Sequence, residues 1–318
     1  MPVTASRATK EPAVEADPAI GRFLDAVWME RGLSQNTLAA YRADLTALSR
    51  WLEERRMRVT RTTRADLLAF IAWRVEAGAR PRSTARQLSS FRRFFRFMVR
   101  EGSVTEDPTA QIEMPKIGRS LPKSLTEDEV EALLAAPTVT DPLGHRDRTM
   151  LEVLYATGLR VSELVSLTWS HLLDREDDKV QIAGLVGKGG KEREVLLPAD
   201  LANRLREVRQ GAGDDEAVFK GRPSRHRKLK DRPEGAMSAR AVAQVIKRTA
   251  RRAALPKGTQ ERISPHWLRH AHASHALDNK APISLVQQTL GHGSLKTTSI
   301  YAHAKPGDSS ALYLKKVR

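Results

Sequence analysis

The chain reads as a mainly α-helical protein with a small antiparallel β-sheet, divided into two domains. Three observations predict this. Apolar residues over the first hundred positions recur at helical spacing in four successive stretches. In the second half one β-hairpin pattern, KVQIAGL and REVLLP around GKGGK, stands among further helical stretches. Between the halves, residues 105–124 carry three prolines and no periodicity, which is the chemistry of a linker. A length of 318 residues agrees with two domains, since single domains run to about 100–200 residues.

Taken in order, residues 1–17 form a polar arm without the apolar core of a secretory leader. The N-terminal helical domain spans 18–104. Phe23, Leu24, Val27 and Trp28 predict a first helix, stopped at Gly32. Ser34 is placed to cap a second, in which Leu38, Tyr41, Leu45, Leu48 and Leu52 repeat every three or four residues and make one stripe. Thr63 precedes a third (Leu67, Leu68, Ile71, Val75), closed by Gly78. Ser83 is the expected cap of a fourth, with Leu88, Phe91, Phe95 and Met98 inward. Its other side carries Arg82, Arg86, Ser89, Ser90, Arg93 and Arg100. A basic and hydroxylic face of this kind suits phosphate oxygens, although a solvated helix face has the same composition. After the linker, Thr126 and Glu129 make a capping box ahead of Val130, Leu133 and Leu134. A second domain is expected over 125–304, with a tail over 305–318. In it, residues 145–157 and 162–173 read as helices around Gly158, followed by the hairpin and by helices near 200–209, 238–253, 264–277, 282–290 and 294–303. The segment KGRPSRHRKLKDR, residues 220–232, packs seven basic residues into a loop-like stretch.

Composition excludes several chemistries. With no cysteine there is no disulfide, thiolate metal site or Cys nucleophile. No apolar run approaches the roughly 20 residues of a membrane span, so a cytoplasmic protein is expected. The 54 basic and 38 acidic side chains leave a charge of +16, which favours a polyanionic partner such as nucleic acid or an anionic membrane face. Residues 1–124 hold 22 basic and 14 acidic groups and residues 125–318 hold 32 and 24, so each part carries +8. An even split suggests that both halves touch the same polyanion.

Four segments carry candidate chemistry: ATGLRVSEL, GKGGKER, SPHWLRH and LGHGSLKTTSIY. In SPHWLRH, Ser264 is a candidate cap, Pro265 suits the first helical position, and His266 and Arg269 stand at i and i+3 on one face. Arg160 follows a Gly-Leu break just before another helix start, so two guanidinium forks can meet on one phosphate. Tyr301, nine residues after His292, can attack phosphorus, and Lys188 on the hairpin turn can protonate a departing oxygen. There is no GxxxxGK[ST] loop, no acidic cluster at metal-binding spacing, and no Glu to make HExxH of HWLRH. No metal or cofactor is therefore expected. Taken singly, Lys188 also reads as a solvated turn tip and Tyr301 as an ordinary surface residue of a helix.

Together these segments resemble the tyrosine recombinase (phage integrase) family, whose pattern is an Arg in a T-G-x-R-x-S-E-L context, a hairpin Lys, His-x-x-Arg, Gly-His and a terminal Tyr. The resemblance covers about residues 18–304. Within the family the stretches FLDAVWMERGLSQNTLAAYRADL, RSLPKSLTEDEVEALLAAP and RDRTMLEVLYATGLRVSELVSL are most similar to the Xer branch. It implies a helical, SAM-like core-binding domain and a mixed α/β catalytic domain that clamp double-stranded DNA. Arg160 and Arg269 would hold the scissile phosphate, His266 and His292 would hydrogen-bond its oxygens, Lys188 would be the general acid and Tyr301 the nucleophile. Glu163 would buttress Arg160. The resemblance further implies a homo- or hetero-tetramer on two DNA sites, with a second Xer-type recombinase as a candidate partner, and a tail that docks on a neighbouring protomer. Its biological role would be dimer resolution at a chromosomal site; mobile-element integration and catalytically silent DNA binding are the alternatives. Several features depart from the pattern: a longer Arg160-to-Lys188 interval, a longer 211–237 stretch with 220–232 as an insertion, His272 where the family carries an aromatic, and a more integrase-like sequence after about residue 178.

Overall fold

The computed structural model describes residues 17–115, 124–186, 192–221 and 233–291, together with Ser310 and Leu314. The chain divides into two compact units, residues 1–120 and 121–318.

Among the described residues, four α-helices build the first unit. Helix α1 (Pro18–Arg31) opens with the Asp17 carboxylate accepting the Ala19 N–H at 2.9 Å and stops at Gly32, whose φ of +52° suits a residue without Cβ. Helix α2 (Gln35–Glu53) is capped by Ser34, and Leu45, Leu48 and Leu52 of the expected stripe are fully buried. Helix α3 (Arg64–Glu76) starts in a reciprocal capping box of Thr63 and Asp66. It buries Leu67 and Phe70, whereas Leu68 and Val75 of the expected stripe are exposed. Helix α4 (Pro81–Arg100) begins two residues before the expected cap: Pro81 supplies the preset φ of a first helical position, and Ser83 lies inside the first turn. Its inward face carries Leu88, Phe91, Phe94, Phe95 and Met98. Phe23 meets Phe94 edge-on with ring centres 5.5 Å apart, and Phe70 meets Phe91 at 5.7 Å.

The second unit is mixed. Helix α5 (Glu127–Ala135) has the Thr126–Glu129 capping box that the sequence announces. Helix α6 (Pro142–Thr157) is buried along most of its length and ends at Gly158 with φ +60°. The helix expected over 162–173 is only one turn long, α7 (Val161–Leu164). From Val165 onward the buried residues alternate (Val165, Leu167, Trp169), a spacing of two that fits extended chain. A 3₁₀ turn over Trp169–His171 then leads into β1 (Leu172–Asp174), a strand the sequence did not announce.

Strands β2 (Val180–Val186) and β3 (Glu192–Leu197) pair antiparallel as the hairpin pattern predicts, with β1 on the far side of β2, giving the order β1-β2-β3. Helices α8 (Ala199–Arg209), α9 (Ala239–Arg252), α10 (Lys257–Arg262), α11 (Pro265–Asp278) and α12 (Ile283–Leu290) follow; α10 was not anticipated. One core joins Leu133, Leu151, Leu154, Ile182, Val195, Ile246 and Leu268 from helices and sheet. The hairpin turn 187–191, the basic stretch 222–232 and the expected helix 294–303 lie outside the described residues. Of the tail, Ser310 is fully buried beside His272 and Thr289, and Leu314 packs against the small cluster of Ala276, Val286 and Leu290. Among the described residues no helix is long and apolar enough to cross a membrane.

Candidate active site

The C-terminus of α12 organises the site. The last carbonyls of a helix have no partner within it and carry the negative end of its dipole. Here three consecutive carbonyls each receive one guanidinium: Thr289 from Arg193 Nε at 2.9 Å, Leu290 from Arg269 Nη2 at 2.6 Å, and Gly291 from Arg160 Nη2 at 3.3 Å. Arg160 comes from the cap of α7, Arg193 from β3 and Arg269 from the first turns of α11, so three distant segments meet at one helix end. Arg269 is bound a second time, its Nη1 donating to the carbonyl of Gly158, two residues before Arg160.

Glu163 lies among these cations. Its Oε1 accepts from Arg160 Nη1 at 2.8 Å and Arg193 Nη1 at 3.0 Å; its Oε2 accepts from the Arg160 backbone N–H and from Arg193 Nη2, both at 2.7 Å. The four acceptor positions of the carboxylate are thus filled. Burial pushes the Glu163 carboxyl up, but the hydrogen bonds from Arg193 and Arg160 outweigh it and hold the group below the usual carboxylate range. Burial, followed by the charges of Arg160 and Arg193 and opposed by Glu163, brings Arg269 down to about 10. Among the described residues, three guanidiniums face one carboxylate here, an excess of two positive charges in a largely buried pocket, and Arg160 is the most open of the four, with a third of its side chain exposed. The pocket is built to take an anion.

The sequence-predicted residues are distributed as follows. Arg160 and Arg269 come together, and Glu163 contacts Arg160 as expected. His266 and Arg269 share one turn of α11 but part in burial: Arg269 points into the protein, while His266 is exposed, its ring 4.8 Å from that of His270. Lys188, His292 and Tyr301 lie outside the described residues. Among the described residues no three His, Asp or Glu side chains gather as metal ligands. Arg193 is the residue that sequence reasoning missed. The signal was present, since Arg193, Val195 and Leu197 share the inward phase of β3, and a charge in the core phase of a strand needs a buried partner.

Behind the pocket, His272 is fully buried. Its Nδ1 donates to the Tyr155 carbonyl at 2.8 Å, which leaves Nε2 to accept from the Ser310 hydroxyl at 2.7 Å. Burial, with smaller contributions from Arg269 and His275, brings it down to about 4 against the Tyr155 contact. His275 bonds the Leu125 carbonyl through Nε2, so its Nδ1 accepts from the Tyr155 hydroxyl at 2.9 Å. Both are packed helix residues.

On α4 several basic side chains are tied to groups of their own unit while staying half exposed. Arg86 grips the buried Asp44 with both Nη atoms, and Ser90, itself only 2% exposed, donates to the same carboxylate at 2.7 Å. Ser90 is therefore a buried bracket of Asp44, not a surface donor. Arg93 bonds the Tyr41 hydroxyl at 3.2 Å, and Arg100 pairs with Glu30. Arg82 is exposed.

The model of the Phage integrase family matches residues 123–307, and that of the Phage integrase N-terminal SAM-like domain matches residues 20–102. The tyrosine recombinase XerD of Pseudomonas aeruginosa is 48% identical over 287 residues, 90% of this chain and 92% of that protein. Among solved structures, the XerH site-specific recombinase on palindromic difH substrate, a post-cleavage complex, aligns with a TM-score of 0.69 at 18% identity over 90% of this chain and 93% of that one. A lambda integrase tetramer bound to a Holliday junction aligns at 0.65 and 19% identity over 94% and 77%. At these identities the two structures speak for the fold, while the family model and the XerD relative settle the kinship: the chain belongs to the phage integrase family of tyrosine recombinases.

Proposed function

We propose that this protein is a XerD-like site-specific recombinase that cuts and rejoins duplex DNA through a 3′-phosphotyrosine, with two sites exchanging strands by way of a Holliday junction. The observation that carries this reading is the pocket at the end of α12, where Arg160 and Arg269 hold consecutive carbonyls and where, among the described residues, three guanidiniums face the single carboxylate of Glu163. A phosphodiester carries one negative charge, and its five-coordinate transition state approaches two. Guanidiniums fixed in advance by Glu163 and the α12 carbonyls stabilise the second more than the first without reorganising. Each guanidinium has five N–H donors and spends two on the contacts described, so both retain donors for the non-bridging oxygens.

The chemistry then balances without a cofactor. The Tyr301 oxygen bonds to phosphorus as the bond from phosphorus to the 5′ oxygen breaks. The phenol proton passes toward His266 or His292, and Lys188 gives its proton to the departing 5′ oxygen. The phosphotyrosine keeps the energy of the broken ester, so a 5′ hydroxyl from the partner duplex reseals the strand without ATP. The 18–104 segment would bind DNA through Arg82 and the outward portions of Arg86, Arg93 and Arg100. Four protomers on two sites, in the cytoplasm, either alone or with a second recombinase of the same type, would resolve chromosome or plasmid dimers at cell division. The XerD relative favours this role over integration of a mobile element. A nicked suicide substrate, whose 5′ end diffuses away after cleavage, tests the proposal. Wild type should trap a covalent DNA adduct stable to denaturant and indifferent to EDTA, and Tyr301→Phe should trap none; equal trapping by both would remove Tyr301 from its role.

A further inference from the structure

Arg193 joins two fixed points of the pocket, the Glu163 carboxylate and the end of α12. Its side chain is 6% exposed, its Nη atoms take both oxygens of Glu163 at 3.0 and 2.7 Å, and its Nε holds the Thr289 carbonyl at 2.9 Å. Its stem lies under Gly291, where a Cβ would come within 2.9 Å of Arg193 Cδ. The same Glu163 orients Arg160, and the same backbone segment, Thr289 to Gly291, supplies the carbonyls for Arg269 and Arg160. A buried ion pair is a poor device for stability alone, because an apolar residue of like volume commonly serves as well. What an apolar residue cannot do is fix the two oxygens of a carboxylate in one orientation.

We propose that Arg193 is a positioning residue for strand cleavage. Through Glu163 and the α12 carbonyls it sets the guanidinium of Arg160 at the angle the phosphate requires, and it does not itself touch DNA. This inference rests on the recombinase reading given above. It separates Arg193 from the pocket's DNA-facing members: its loss should slow the chemical step and leave affinity for the site unchanged.

The test is single-turnover cleavage of the suicide substrate at saturating protein, with DNA affinity and thermal midpoint measured on the same preparations. Arg193→Lys keeps the charge and loses the fork; Arg193→Met keeps the volume and loses both. Each should cleave about 30- to 100-fold more slowly while binding the site within about threefold of wild type. Arg160→Ala should lose more, and adding Arg193→Lys to it should cost less than about threefold further, since neighbours acting through one contact are not additive. Cleavage by both Arg193 variants within threefold of wild type, or a double variant whose losses multiply, would overturn the inference while leaving the recombinase reading intact. A wild type that forms no adduct would overturn that reading first, and this one with it.

Discussion

At the scale of single residues, burial decides what each charged group can do. Arg160, Arg193 and Arg269 would repel one another in a pocket this closed; Glu163 and the end of α12 make their proximity tolerable. Sequence motifs identified Arg160 and Arg269 because each stands in a distinctive local context. They did not identify Arg193, whose partner Glu163 is thirty residues away and whose neighbours spell an ordinary strand. His272 obeys the same logic. Its imidazole is held down to about 4, whereas the unfolded chain titrates near 6.5. The unfolded state therefore binds a proton that the folded state refuses, and stability present above about pH 6.5 is lost as the pH falls toward 4. The full effect is on the order of 3 kcal/mol. Urea unfolding at pH 7 and pH 5 should show wild type losing markedly more stability than His272→Phe over that interval; parallel losses would mean that His272 is not the group responsible.

Elements were legible where local chemistry writes their ends. Capping boxes at Thr63 and Thr126, a capping hydroxyl at Ser34 and glycines at 32 and 158 were readable because a cap is a contact between near neighbours. The failures fall where tertiary pairing overrules local pattern. Residues 165–173 contain enough leucines for a helix, yet Thr168 pairs with Ala217 and Leu172 with Ile182, partners that no window of sequence displays. Gly158 joins the two levels. It ends α6 at φ +60°, and a Cβ there would lie 2.5 Å from Leu290 Cδ2, beside the carbonyl that holds Arg269. Gly158→Ala should destabilise the protein by about 2–3 kcal/mol, combining left-handed strain with overpacking. Gly211→Ala is the control, with φ +77° and nothing within 4 Å, and should cost about 1 kcal/mol. Equal losses in denaturant titrations would show that the space beside Leu290 is not tight.

For the molecule as a whole, two tasks are assigned to different charges. Holding a duplex draws on the +16 spread evenly along the chain, a diffuse attraction that weakens with salt. Breaking a strand, on the function proposed above, draws on the excess positive charge that the described residues gather in one pocket. The composition made the first visible from the sequence, and the motifs named members of the second. Beyond the short-range Arg160–Glu163 pair, neither displayed how Glu163 and α12 bind the pocket together, because the other contacts link residues 21 to 131 positions apart. The two tasks can be separated by altering a single charge on the DNA. A suicide substrate with a methylphosphonate at the scissile position lacks one negative oxygen and keeps every other phosphate, so the grip is unchanged and only the pocket is probed. Cleavage of the ordinary phosphate should fall by about 10³-fold in Arg160→Ala, whereas cleavage of the methylphosphonate by wild type and Arg160→Ala should agree within about tenfold. Equal losses on both substrates would contradict the claim that Arg160 acts on the charge of the phosphate.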